Sequence, residues 1–353
     1  MKRIYYLDLI RVFLTMLVFY HHSAIAFGAS GGWYYIAKEA TSGWTQGLLS
    51  ASMAVDQSYF MSLFFFISAY LLPASFERKG VMGFMADRLN RLGIPLLLFY
   101  FVLNPVLVYW IYGSWYEPGF GPMWFVFTLL VCESAYVAYR CLCKKRIAIK
   151  WKEYSWKGAL SFIFCMGVLA FLLRLWVPVG RNVLGLQLGF FPLYLGMYFL
   201  GIVAYRNQWL ERLNKKVATA WLAIVLFVCL PLLLCVMHMN MDRMADFSGG
   251  WNLPALFYAM WEPVMCVGIS YFLLACGDTY FNKPYKWIQG LSRDSYAFYI
   301  IHPFVVVGCV MGMERLPVSP LTRLALVCVI GIPLCFMLAA GFRRVMAWVH
   351  VKV

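Results

Sequence analysis

The sequence predicts an all-α polytopic membrane protein of about ten transmembrane helices with both termini in the cytoplasm. Three observations carry that expectation: the composition, the length of the apolar runs and the placement of the basic residues. Of 353 residues, 63% are hydrophobic, 19% aromatic and only 13% charged, with a mean hydropathy of +0.73. Soluble domains carry about 45–50% apolar and about 25% charged residues, so a water-facing surface of this size has too little charge to cover it. The composition excludes a disordered chain, a collagen-like repeat and a disulfide scaffold. A hydrocarbon core of about 30 Å takes about 20 apolar residues per helix, and ten such runs occur, near 5–28, 52–73, 91–112, 121–141, 157–177, 186–205, 217–237, 252–276, 286–311 and 319–341. Short loops remain, so residues 1–353 read as a single integral-membrane domain, and any active site lies in or on the helical bundle.

The first run follows Lys2 and Arg3 and resembles a secretory signal, yet it carries Asp8 and Arg11 and continues to His21 and His22. A signal core of about 7–15 residues holds no charge, so this run is read as a permanent helix. The net charge of +15 would imply nucleic acid in a soluble protein. Here alternate loops divide the 30 Lys and Arg residues as 24 against 6, with seven of them between Arg140 and Lys157. That division follows the positive-inside rule for ten spans, and no nucleic-acid partner is expected. The eleven cysteines lack zinc or redox spacing; most lie inside apolar runs as small hydrophobes, and no metal is expected.

Polar side chains within the runs define the candidate chemistry, because a charged residue at a helix centre costs roughly 2.5–3.5 kcal/mol on insertion scales. In the first helix Arg11 and His22 are eleven residues apart and share a face, three turns along. His22 lies about 26 Å along the axis from residue 5, where an imidazole either hydrogen-bonds a neighbouring helix or performs chemistry. His21 is rotated away. In the third run Arg88 and Arg91 stand at i and i+3 at the cytoplasmic end, and two guanidinium forks on one face suit a phosphate-rich ligand or interface anchoring. In the ninth run Ser295, Tyr299 and His302 form one stripe, and His302 reaches a depth comparable with His22, so the two histidines can share a cavity. Glu133 and Glu262 are mid-membrane acids able to orient an imidazole or take a proton. Ser68 suits helix packing, and Trp124 suits an aromatic belt or stacking on a sugar.

These residues form an ordered set: Arg11 and His22, the Phe64-Phe65-Phe66-Ile67-Ser68-Ala69-Tyr70-Leu71-Leu72 run, Arg88 and Arg91, Met123-Trp124-Phe125-Val126, and Tyr296 with His302. The set resembles acyltransferase family three over nearly the whole chain, with the string from Arg88 to Pro95 and the His302-Pro303 pair most similar to the glucan-modifying succinyltransferase branch. Ala69 stands where that family usually has Gly. The resemblance implies a multi-pass enzyme of the bacterial inner membrane. It would move an acetyl or succinyl group from cytoplasmic acyl-coenzyme A, the donor co-substrate, to a hydroxyl of a cell-surface or periplasmic glycan or glycolipid. It further implies His22 as general base or acyl carrier, with His302, Tyr299 and Glu133 or Glu262 orienting base or acceptor. Arg88, Arg91 and Arg11 would hold the donor, and Trp124, Ser68 and Ser295 the acceptor. An acyl carboxylate would find Arg174 or Arg181. Two other readings use the same residues: a proton-coupled secondary transporter, although no internal repeat is visible, and a membrane protein binding anionic lipids through Arg88 and Arg91.

Overall fold

A computed structural model describes residues 4–115, 118–143 and 154–351. Lys2, Arg3, Lys352 and most of the expected basic loop between Arg140 and Lys157 lie outside the described residues. Nine helical stretches in the described residues are long and apolar enough to cross a membrane. We label them α1 (Tyr5–Ala26), α2 (Gly43–Tyr112), α3 (Gly121–Leu142), α4 (Trp156–Arg174), α5 (Leu188–Arg206), α6 (Lys215–Met239), α7 (Leu253–Phe281), α8 (Lys286–Met313) and α9 (Pro320–Trp348). The architecture is all-helical and the protein is a multi-pass membrane protein.

The expected runs at 52–73 and 91–112 are both carried by α2, whose 70 residues would extend about 105 Å as a straight rod, far beyond an apolar core of about 30 Å. The break between them is Gly80, with φ 67° and ψ 178°, a combination open to glycine and costly for any other residue. It falls in the charged segment that includes Arg78, Lys79 and Asp87.

Proline sets the finer helix geometry. It has no N–H and its ring collides with the carbonyl four residues back. Segments Leu89–Gly93, Phe99–Leu103 and Val225–Cys229 are π-helical, and each ends two residues before a proline: Pro95, Pro105 and Pro231. The wider turn gives the displaced carbonyl room. Helix starts follow side-chain chemistry. Ser155, Asn252 and Ser319 accept from the backbone N–H of Gly158, Ala255 and Thr322, which satisfies donors that a helix start leaves open.

The chain forms two compact units. One consists of Met1–Ile10, Ala54–Ser75 and Ile147–Lys283, and so includes α4 to α7. Its helices approach through small residues: Gly201 lies against the backbone of Phe66, and Gly268 against Trp221 and Val225. The Trp261 indole donates to Cys229 O at 2.9 Å. The other unit consists of Arg11–Met53, Phe76–Arg146 and Pro284–Val353. Its core packs Phe19 edge-on against Phe298, which is tilted against Phe336, and Gly331 admits the Phe19 ring, since a Cβ there would sit 2.5 Å from it.

Candidate active site

In the second unit His22 of α1 meets His302 of α8, with His22 Nδ1 3.2 Å from His302 Nε2 and the ring centroids 5.1 Å apart. His302 is fully buried, and its Nδ1 lies 2.7 Å from the Tyr299 carbonyl oxygen. The sequence explains why that oxygen is available. In a regular helix Tyr299 O accepts from the N–H of residue 303, but residue 303 is proline, which has none. His302 Nδ1 takes the vacated acceptor.

This contact fixes the protons of the pair. A carbonyl only accepts, so His302 Nδ1 carries hydrogen and its Nε2 holds a lone pair in the neutral ring. His22 Nδ1–H then donates to His302 Nε2, which leaves the lone pair of His22 on Nε2. Tautomers are inferred from such a network, and this one puts a basic nitrogen at the far edge of His22, with His302 as the group that orients it.

A connection of residues 27–42 brings a third ring. Trp33 stacks on His22 at 3.8 Å between centroids and 24° between planes, and lies 5.8 Å from His302. Its indole Nε1 is buried with no hydrogen-bond partner among the described residues. The connection is fastened at several points. Ala37 N and Thr41 N donate to Ala26 O and Phe27 O. Glu314 accepts from Tyr35 Oη at 2.8 Å and Lys38 N at 2.7 Å, and Arg323 pairs with Glu39 at 2.9 Å. Tyr34 donates to Asn104, and burial pushes its phenol above the usual range. Tyr299, whose hydroxyl donates to Pro122 O, places its ring 5.6 Å from His302.

A basic cluster occupies α2 of the same unit. Arg88 Nε is 3.1 Å from Glu133 Oε2, and its guanidinium lies over the Phe84 ring at 4.8 Å. Arg91 is half exposed and lies 3.4 Å from Asp87, which also pairs with Lys79 at 2.6 Å. Glu133 is buried at 2% exposure, so a carboxylate expected to serve an imidazole instead holds one fork of the arginine pair.

The family model described as an acyltransferase domain matches residues 4–340 of the 353. The chain belongs to this acyltransferase family. Nothing matches among curated proteins or among solved structures. Family membership makes the protein a membrane acyltransferase, and the transporter and lipid-binding readings give way to an enzyme.

The remaining expected positions of this acyltransferase are scattered. Ser295 Oγ bonds back to Leu291 O at 2.9 Å, as a helix-packing serine does. Trp124 lies in the first turns of α3 with its ring 6.3 Å from Phe125. Arg11 is half-buried on α1, and its carbonyl accepts from Thr15 Oγ1. His21, expected to face elsewhere, is buried with its ring at 87° to that of His22. Ser68 and Glu262 belong to the first unit. There Arg174, 1% exposed, pairs with Glu262, donates to Gly189 O at 3.0 Å and lies 5.2 Å from the Phe190 and Tyr258 rings. Glu262 therefore pairs with an arginine rather than an imidazole, and Arg174 gives Nε to Gly189 O and Nη2 to Glu262, while its buried Nη1 has no hydrogen-bond partner among the described residues. Arg181 is exposed and bonds Trp176 O. Sequence reasoning missed Trp33, Tyr34 and Asn104. The aromatic run Trp33-Tyr34-Tyr35 directly after a histidine-bearing helix was the available signal.

Proposed function

We propose that this enzyme of the bacterial inner membrane transfers an acetyl or succinyl group from acyl-coenzyme A to a hydroxyl of a cell-surface or periplasmic carbohydrate, with His22 as general base. The observation that carries the reading is the relay from Tyr299 O through His302 to His22, which leaves Nε2 of His22 basic. His22 Nε2 takes the acceptor's hydroxyl proton while that oxygen bonds to the thioester carbonyl carbon. Charge gathers on the carbonyl oxygen, and the indole N–H of Trp33, stacked on His22 and without a hydrogen-bond partner among the described residues, is its donor in this scheme. The carbon–sulfur bond then breaks, and the thiolate leaves with the proton held by His22. His302 Nε2 accepts from His22 Nδ1–H throughout and stabilises the imidazolium, a role that base catalysis values at about 10²–10⁴-fold.

Arg88 and Arg91 bind the donor's phosphates in this scheme. Glu133 pairs with Arg88 at Nε, which leaves the two Nη groups for phosphate oxygens, since guanidinium forks engage these in pairs. Arg11, Trp124, Ser68 and Ser295 keep only the role the family resemblance implies for them.

The test is thiol release by the purified chain in lipid nanodiscs, supplied with acetyl- or succinyl-coenzyme A and extracted envelope glycan, together with mass spectrometry of the glycan. The wild-type chain acylates the glycan with one of these donors, and His22→Ala folds normally without activity. Full activity in His22→Ala would overturn the base assignment, and absence of transfer from either donor by the wild-type chain would overturn the donor class.

A further inference from the structure

The first unit contains a cavity of about 470 Å³, within the range of about 300–1,000 Å³ typical of small-molecule sites. Its apolar wall is built by Phe66, Phe162, Met197, Leu200, Val267 and Leu274. Polar groups gather where α4 begins. There Tyr154 Oη accepts from the Trp221 indole at 2.9 Å, and Tyr271 Oη accepts from Asn214 N at 3.1 Å. Each phenol therefore has an acceptor position filled and keeps its own O–H to donate. Burial pushes the Tyr154 phenol up to about 12, which keeps that proton in place. Arg212 adds a guanidinium, and among the described residues that line the cavity there is no carboxylate.

Donors and positive charge at one end of an apolar cavity describe the complement of an anionic amphiphile. We propose that this cavity binds an anionic phospholipid, its phosphate held by Tyr154, Tyr271 and Arg212 and one acyl chain in the cavity. The surroundings favour a bilayer lipid over a soluble anion, which has no use for the apolar wall. Tyr154, Trp156, Trp221 and Tyr271 form a continuous aromatic cluster, with neighbouring centroids 5.0 to 5.6 Å apart, and such clusters mark the headgroup level of a membrane. The neighbouring basic residues Arg206, Lys215 and Lys216 raise the local density of anionic lipid. On α4, beside the cavity residues Ala159 and Phe162, Leu160 and Phe164 are exposed at 57% and 62% and offer an apolar face for a second chain.

Native mass spectrometry of the full chain in detergent, titrated with phosphatidylglycerol and with phosphatidylcholine of identical acyl chains, tests the site. Phosphatidylglycerol binds one to one with about tenfold preference, as expected for charge-assisted hydrogen bonds to phosphate near a cation. Arg212→Gln combined with Tyr271→Phe removes the preference, and Ala159→Trp, which fills the cavity, abolishes this one-to-one binding. Equal binding of the two lipids by the wild-type chain, or a preference that survives Arg212→Gln/Tyr271→Phe, overturns the proposal. Because Arg212 is exposed, Arg212→Gln alone reads the charge dependence should Ala159→Trp fail to fold. Oleate competing with equal affinity overturns the two-chain assignment.

Discussion

Trp33 concentrates several demands in one side chain. It covers a face of His22 and carries a buried indole N–H without a partner among the described residues, and an unsatisfied buried donor costs about 1–3 kcal/mol. Trp33→Phe keeps an aromatic ring over His22 and deletes the N–H together with the pyrrole part of the indole. If that donor meets the developing oxyanion, kcat falls by about 10²-fold with the donor KM unchanged, measured by thiol release under saturating donor. Equal kcat in Trp33→Phe would leave the ring a packing role alone. In the proposed donor site Glu133 acts through Arg88. Glu133→Gln frees Arg88 from its pair and raises the donor KM several-fold while kcat stays within about twofold, the pattern of lost uniform binding; a fall in kcat alone would contradict it. His22 and His302 were legible in the sequence because helical period and depth are properties of the chain itself. The partners of Glu133 and Glu262 were not, since pairing depends on which helices pack together.

At the scale of the helix, proline recurs as a tool. Upstream of Pro95, Pro105 and Pro231 the helix widens to π geometry, whereas at Pro303 the carbonyl left behind is used by a side chain. Pro303→Ala restores an N–H that competes for Tyr299 O. We expect kcat to fall about tenfold as His302 loses its fixed tautomer, the effect of removing an orienting partner from a base, while the unfolding temperature is held or raised because an interior helix bond returns. A loss of folding, or unchanged kcat with a higher midpoint, would refute this account. Nearly all helices were legible from apolar run length. What run length leaves open is whether consecutive spans are separate helices. The join of 52–73 and 91–112 into one 70-residue stretch with its break at Gly80 depends on a single glycine's torsions, and Arg78 and Lys79 beside it read equally well as a loop.

For the whole molecule, the division of basic residues into 24 and 6 predicts that both termini face the cytoplasm. Fusions of a reporter active only in the cytoplasm, placed at each end, should both be active; activity at one end alone would require an odd number of spans. The family identity was legible because its ordered motifs run through the whole chain, while the acyl group and acceptor were not. Arg174, a cation expected to meet an acyl carboxylate, gives Nη2 to Glu262 and Nε to the Gly189 carbonyl.

The ring stacked on His22 also gives the enzyme an optical handle. An excited indole passes an electron readily to a protonated imidazole and far less readily to a neutral one, so the emission of Trp33 should dim while His22 holds the acceptor's proton. The chain has 14 tryptophans, and subtracting the spectrum of Trp33→Phe isolates the one that matters. Stopped-flow recordings would then time the proton's arrival and departure at the imidazole without label or cofactor.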